Sequence, residues 1–234
     1  MDGGLQNALR GAAQVASGDR VGIAMRLLFP VMLLEAALWL PKPFAILCGI
    51  SALWYIIRSL WLAADKASAL GFDLRGLLRE SWLLGATFML ALTILAIAYR
   101  SGSLHRLWGL EHPWYAIAGY AAWAFVQEFM LQCFCLRMLS ALVSRVGSML
   151  LTGLVFAVAH LPNPGLTLLS FFAGVGFTAI YARRRNLYVV ALVHAILGLT
   201  LAVSAPDAWF HGLRVGRDFL DAPTTITAEI PTTR

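Results

Sequence analysis

Charge is what this 234-residue sequence has least of. Asp, Glu, Lys and Arg make up 13% of it, against about 25% in soluble domains, and no stretch reads as a separate soluble domain or long linker. Cysteine is nearly absent too. Cys48, Cys133 and Cys135 all fall inside apolar runs, where a thiol behaves as a small, soft apolar group, so a disulfide framework is not expected. Cys133 and Cys135 are two residues apart and point to different helix faces, which makes a shared metal site improbable. The N-terminus lacks the uninterrupted apolar core of a cleaved signal peptide, because Asp2, Gln6, Asn7, Arg10 and Gln14 break it up. No internal repeat and no paired broken helices are visible, which weighs against an inverted-repeat transporter. Basic surface interleaved with aromatics is also missing. The net charge of +6 therefore calls for no nucleic-acid partner; anionic lipid and the rules of membrane insertion account for it.

What the chain does have is apolar surface: 60% hydrophobic residues and a mean hydropathy of +0.75. The apolar residues cluster into runs near the ~20 needed to cross a bilayer. Seven spans are predicted, at Val21–Leu40, Phe44–Ala64, Ser81–Tyr99, Pro113–Leu136, Gly147–Leu161, Leu166–Ala182 and Leu187–Ala205. The first carries Arg26 and Pro30, which confines its apolar heart to Leu27–Leu40, and the fifth is short. The expected fold is thus an all-α polytopic bundle over residues 21–205, with the lipid bilayer as its solvent. Residues 1–20 form an N-terminal segment in which Leu5, Ala8, Leu9 and Ala12 recur at helical spacing; it reads equally as an amphipathic surface helix or a cytoplasmic helix. Residues 206–234 form a polar tail whose last dozen residues are expected to be disordered.

Basic residues stay mostly on the cytoplasmic side of short loops. With the N-terminus inside, 12 of the 18 Lys and Arg are cytoplasmic, including Arg183, Arg184 and Arg185; Lys42, Arg100, Arg106, Arg214, Arg217 and Arg234 are not. The expected location is a cell membrane of the bacterial inner-membrane type, N-terminus in the cytoplasm and C-terminus opposite.

Ionisable groups inside spans are expensive, which makes them functional candidates. Three stand out: Glu128 in the fourth span, His160 at the end of the fifth and His194 in the seventh. Glu35, near the outer end of the first, can reach the interface. Glu128 lies between Gln127 and, one turn on, Gln132, with which it shares a face. It is a candidate general base; an interhelical hydrogen-bonded clasp with Gln127 and Gln132 as helpers fits the same residues equally well. His160 follows Phe156 by four and precedes Leu161-Pro162-Asn163-Pro164-Gly165, a helix-breaking run that persists at membrane depth only against protein or a wet cavity. Asn163, between two prolines, suits the backbone groups those prolines leave open. An ordinary turn is the alternative.

The order and helix placement of these groups resemble the CAAX-protease and bacteriocin-processing (Abi) family of intramembrane endopeptidases, whose motifs are EExxxR, FxxxH and HxxxN on successive helices. Gln127-Glu128-Phe129-Met130-Leu131-Gln132 stands at the first, Phe156-Ala157-Val158-Ala159-His160 at the second and His194-Ala195-Ile196-Leu197-Gly198 at the third. The likeness runs from Trp114 to Ala202, less than half of the chain. Three positions depart from it: Gln127 replaces the first Glu, which in the family activates water, Gln132 replaces the Arg, and Gly198 replaces the Asn. An amide takes no proton from water. Either Glu128 has assumed the role, which its neighbouring direction on the helix allows only with some rotation or local irregularity, or hydrolysis is lost.

The resemblance implies hydrolysis of a peptide bond in a membrane-associated protein or peptide, with water activated by Glu128 and the oxyanion held by His160 and His194. No cofactor is expected. Two imidazoles and a carboxylate are also a legitimate zinc ligand set, but the sequence lacks the HExxH arrangement that would put metal first. The competing reading is a non-hydrolytic member that binds membrane segments as a sorting, chaperone or immunity-like factor.

Overall fold

A computed structural model describes residues 20–63, 67–104 and 113–221. Residues 1–19 and 222–234, which hold most of the predicted N-terminal segment and the end of the tail, lie outside the described residues. All regular structure among the described residues is helical, as expected where no water can satisfy the backbone and each segment must bond internally. The long helices are α1 (Arg20–Trp39), α2 (Lys42–Leu62), α4 (Ser81–Ser101), α8 (Pro164–Arg184) and α9 (Leu187–Ser204), with the short α3 (Leu74–Arg79) before α4. A further run begins as α5 (Pro113–Glu128), passes through a π-helical segment at Phe129–Cys135 and ends as α6 (Leu136–Leu142).

Six of these runs are long and apolar enough to span a bilayer. The predicted fifth span is α7 (Arg145–Val158), whose 14 residues reach about 21 Å at 1.5 Å per residue, short of a hydrocarbon core of about 30 Å. Pro30 and Arg26 do not break α1, which runs unbroken through both. The fourth span continues past its predicted end at Leu136 to Leu142.

The loops gather at two ends. At one, Asn186 caps α9 by accepting from Val189 N–H (3.1 Å) and donates through Nδ2 to the Asp73 carbonyl (2.7 Å). Asp73 in turn caps α3 at Gly76 N–H (2.9 Å). Leu187 N–H reaches the Gly71 carbonyl (2.8 Å), and the buried Glu80 lies 3.4 Å from the guanidinium groups of Arg79 and Arg184. At the other end, the start of the predicted tail is folded rather than free: α10 (Asp207–Phe210), a 3₁₀ turn at His211–Leu213 and α11 (Gly216–Leu220) lie against the turn after α7. Asn163 binds there with all its amide atoms, accepting from Leu166 N–H (3.1 Å) and donating to the carbonyls of Phe210 (2.6 Å) and Arg214 (3.1 Å). Asn163 thus serves one local backbone group, at the start of α8, and two carbonyls of the tail that neither proline leaves open. The Leu161–Pro162 peptide is cis.

Two glycines bring α7 onto α8. A Cβ on Gly153 would lie 2.9 Å from the Phe171 carbonyl, and one on Gly174 would lie 3.0 Å from Gly153 Cα and 3.1 Å from Phe156 Cβ. Small residues let membrane helices meet backbone to backbone, where dispersion rather than water drives association. That contact sets Phe156, and one turn later His160, against the bundle interior. Helix α9 packs on α4, α5 and α8, which carries His194 into the core.

Candidate intramembrane active site

Glu128 ends the regular α-helical part of its run, and the next seven residues are π-helical. A π turn takes one residue more than an α turn, and such segments inside α-helices are often found at functional sites. The π segment begins at the residue after the carboxylate, so Gln127 and Glu128 both lie in regular α-helix. Six of the seven π residues are buried, and none is Pro or Gly.

The Glu128 carboxylate has no exposed surface. Its Oε1 lies 2.9 Å from Nδ1 of His194 on α9, and its Oε2 accepts from Nε2 of Gln132 at 2.9 Å. The same Gln132 nitrogen is 3.3 Å from the Thr178 hydroxyl of α8, so one cluster ties three helices. The Gln132 Oε1, by contrast, is buried with no partner. Flipping the amide would set that oxygen against the carboxylate, so the Glu128 bond decides the orientation. Gln127 is half-buried, and its side chain forms no hydrogen bond among the described residues.

His194 is held as firmly from its sides as from behind. Phe177 stacks on it with ring centroids 5.0 Å apart, and Phe156 meets it edge-on at 5.4 Å. The other edge of the site is His160, whose ring stands perpendicular to the same Phe156 at 4.7 Å. Phe156 thus contacts both imidazoles. His160 Nδ1 lies 2.7 Å from the Phe156 carbonyl; a carbonyl only accepts, so Nδ1 carries the proton and Nε2 keeps a lone pair. With Glu128 ionised, His194 likewise donates through Nδ1, and its free nitrogen is also Nε2.

Glu128 and His194 are therefore brought into direct contact, with Gln132 beside them, while His160 is linked through Phe156 and Asn163 lies beyond it in the turn. Among the described residues no three His, Cys, Asp or Glu side chains stand together as a metal site would need. Sequence reasoning missed Thr178 and Phe177. Thr178 shares its helix with Thr167 and Ser170, and nothing in the sequence marks it out from them or Phe177 from other phenylalanines.

These elements define a multi-pass helical membrane protein with a carboxylate–imidazole pair enclosed between helices. The family comparison falls on the same segment: residues 108–200, less than half of the chain, match the model for type II CAAX prenyl endopeptidases, Rce1-like. The similarity to CAAX proteases is thus carried by the stretch that holds all three motif positions. No curated protein and no solved structure matches the chain.

Proposed function

We propose that this protein is an intramembrane endopeptidase of the CAAX-protease type, hydrolysing a peptide bond of a membrane-associated protein or peptide in a cell membrane, with its N-terminus cytoplasmic. The observation that carries the reading is the buried 2.9 Å Glu128–His194 pair inside the family-matched segment. Both carboxylate oxygens are taken up within the protein, and Glu128 has no exposed surface whereas the His194 side chain keeps 7%. Water reaching the pair meets the imidazole first. Glu128 then activates water through His194: Nε2 takes the proton as the water oxygen attacks the scissile carbonyl, the carboxylate stabilises the imidazolium, and the same proton passes to the departing amine. The Nε2 lone pair of His160 accepts the water's other hydrogen and orients it. Exclusion of bulk water by the bundle strengthens each of these contacts.

Gln127 supports a second reading, in which the chain binds membrane segments without cutting them, because the motif retains one carboxylate and that one is fully engaged by protein groups. Reconstitution in liposomes with a library of prenylated and unprenylated membrane-anchored peptides, read by mass spectrometry, separates the two. The hydrolytic reading expects products from the wild type and none from Glu128→Gln. Peptides retained intact by both would leave the binding reading in its place.

A further inference from the structure

Gly198 lies four residues after His194, on the same face of α9 and one turn further along. A Cβ built on it would fall inside the hydroxyl of Tyr120, reaching its Cζ at 2.7 Å and its Cε1 at 2.8 Å. The space that any side chain at 198 would claim is thus already filled, by a phenol from α5. The Tyr120 ring stands nearly perpendicular to His194 with centroids 6.3 Å apart, and Tyr120 is only partly buried. Its hydroxyl forms no hydrogen bond among the described residues. Unlike Gln132 Oε1, it is not sealed in the interior, so this donor beside the imidazole is open to a ligand.

The site needs such a donor. With Nδ1 of each histidine committed to Glu128 and to the Phe156 carbonyl, the free nitrogens serve as proton acceptors, and nothing in the pair itself donates to a developing oxyanion. The geometry points to Tyr120 as a catalytic residue whose O–H donates to the scissile carbonyl oxygen, strengthening as that oxygen becomes an anion, with Gly198 retained as the vacancy that admits the phenol. No covalent bond to Tyr120 forms or breaks and its proton stays on oxygen; it stabilises the tetrahedral intermediate as any oxyanion donor does. The role rests on the hydrolytic reading above.

The test uses the full chain in liposomes with the same peptide library, comparing the wild type, Glu128→Gln, Tyr120→Phe, Tyr120→Ala and the double variant Tyr120→Ala/Gly198→Asn. Phe keeps the ring and its packing, so Tyr120→Phe should lower kcat about a hundredfold, leave KM within about twofold and unfold at the wild-type temperature. The double variant opens the space and returns a donor from α9; it should exceed Tyr120→Ala in kcat by about tenfold, which keeps the test alive should Phe disturb folding. A Tyr120→Phe protein with kcat within about threefold of wild type, while Glu128→Gln is inactive, overturns the Tyr120 role and spares the hydrolytic reading. A wild type that cleaves nothing overturns both.

Discussion

Helices α1, α2 and α4 are as apolar as the helices of the C-terminal half, yet only 11–17% of their spanning windows is buried inside the protein, against 50% for the run from Trp114 to Leu142 and 50% for α9. Ile46, Leu47, Ile50 and Trp54 of α2 are all exposed on the protein's surface, where lipid is their partner. The buried polar groups divide the same way. Glu128, Gln132, Thr152, Asn163, Thr178, Asn186 and His194 are all in the C-terminal half, and among the described residues only Glu80 and Thr87 precede residue 105. Hydropathy therefore locates spans but does not say which span faces lipid and which faces protein; buried polar residues do. The N-terminal helices bury little of themselves in protein, and the polar cluster around Glu128 lies where the family match falls.

The sharpest break in that comparison is at Glu128. Glu128→Gln keeps the shape of the side chain and an acceptor for His194 Nδ1–H, but removes the charge that stabilises the imidazolium. A loss of roughly 10⁴-fold in cleavage is expected, with the fold retained by circular dichroism and gel filtration. Cleavage at near wild-type rate would sever Glu128 from catalysis. Gln127→Glu is the complementary change: it restores a second carboxylate on a half-buried position, and a chain that cuts only in this form would be a binding protein that has lost hydrolysis.

Packing predictions follow at smaller magnitude. Gly153→Leu drives a side chain into the Phe171 carbonyl and Val175 and should cost about 3 kcal/mol through overpacking, read as a lowered midpoint in detergent unfolding. The same substitution at Gly85, with nothing within 4 Å of a built Cβ, should be nearly silent. Asn163→Ala removes a helix cap and the bonds to Phe210 and Arg214, costing about 2 kcal/mol. Hydrogen exchange at residues 207–221 should rise more than in α8. Unchanged exchange there would show that the tail is held by other contacts.

Much of this was legible in the sequence because bilayer thickness fixes how long an apolar run must be; the predicted starts at Ser81 and Leu187 coincide with α4 and α9. Glu128, His160 and His194 were visible because charge in hydrocarbon is rare. The π segment was not, since residues 129–135 carry no breaker that would mark it. The fold of the tail was hidden for a similar reason: Asp207, Arg214 and Arg217 read as polar and solvated, whereas much of the attachment is through backbone carbonyls accepting from Asn163. Tyr120 was missed because its meaning depends on a glycine 78 positions away.

The smallest expected effect is the most direct probe of the division between scaffold and core. Ile50 and Leu187 are both large aliphatic residues in spanning helices, but Ile50 is 62% exposed and Leu187 is 0% exposed. In water both would lose hydrophobic burial on truncation. In a bilayer the tails are as apolar as the side chain, so Ile50→Ala exchanges one apolar contact for another and should change stability by under about 0.5 kcal/mol. Leu187→Ala leaves a cavity between helices that lipid does not fill, and should cost about 2–4 kcal/mol. The measurement is unfolding of the two variants in the same lipid–detergent mixture. A cost at Ile50 approaching that at Leu187 would mean that the outer face of α2 is covered by protein in the membrane, and the contrast between a lipid-facing scaffold and a protein-facing core would have to be redrawn around that contact.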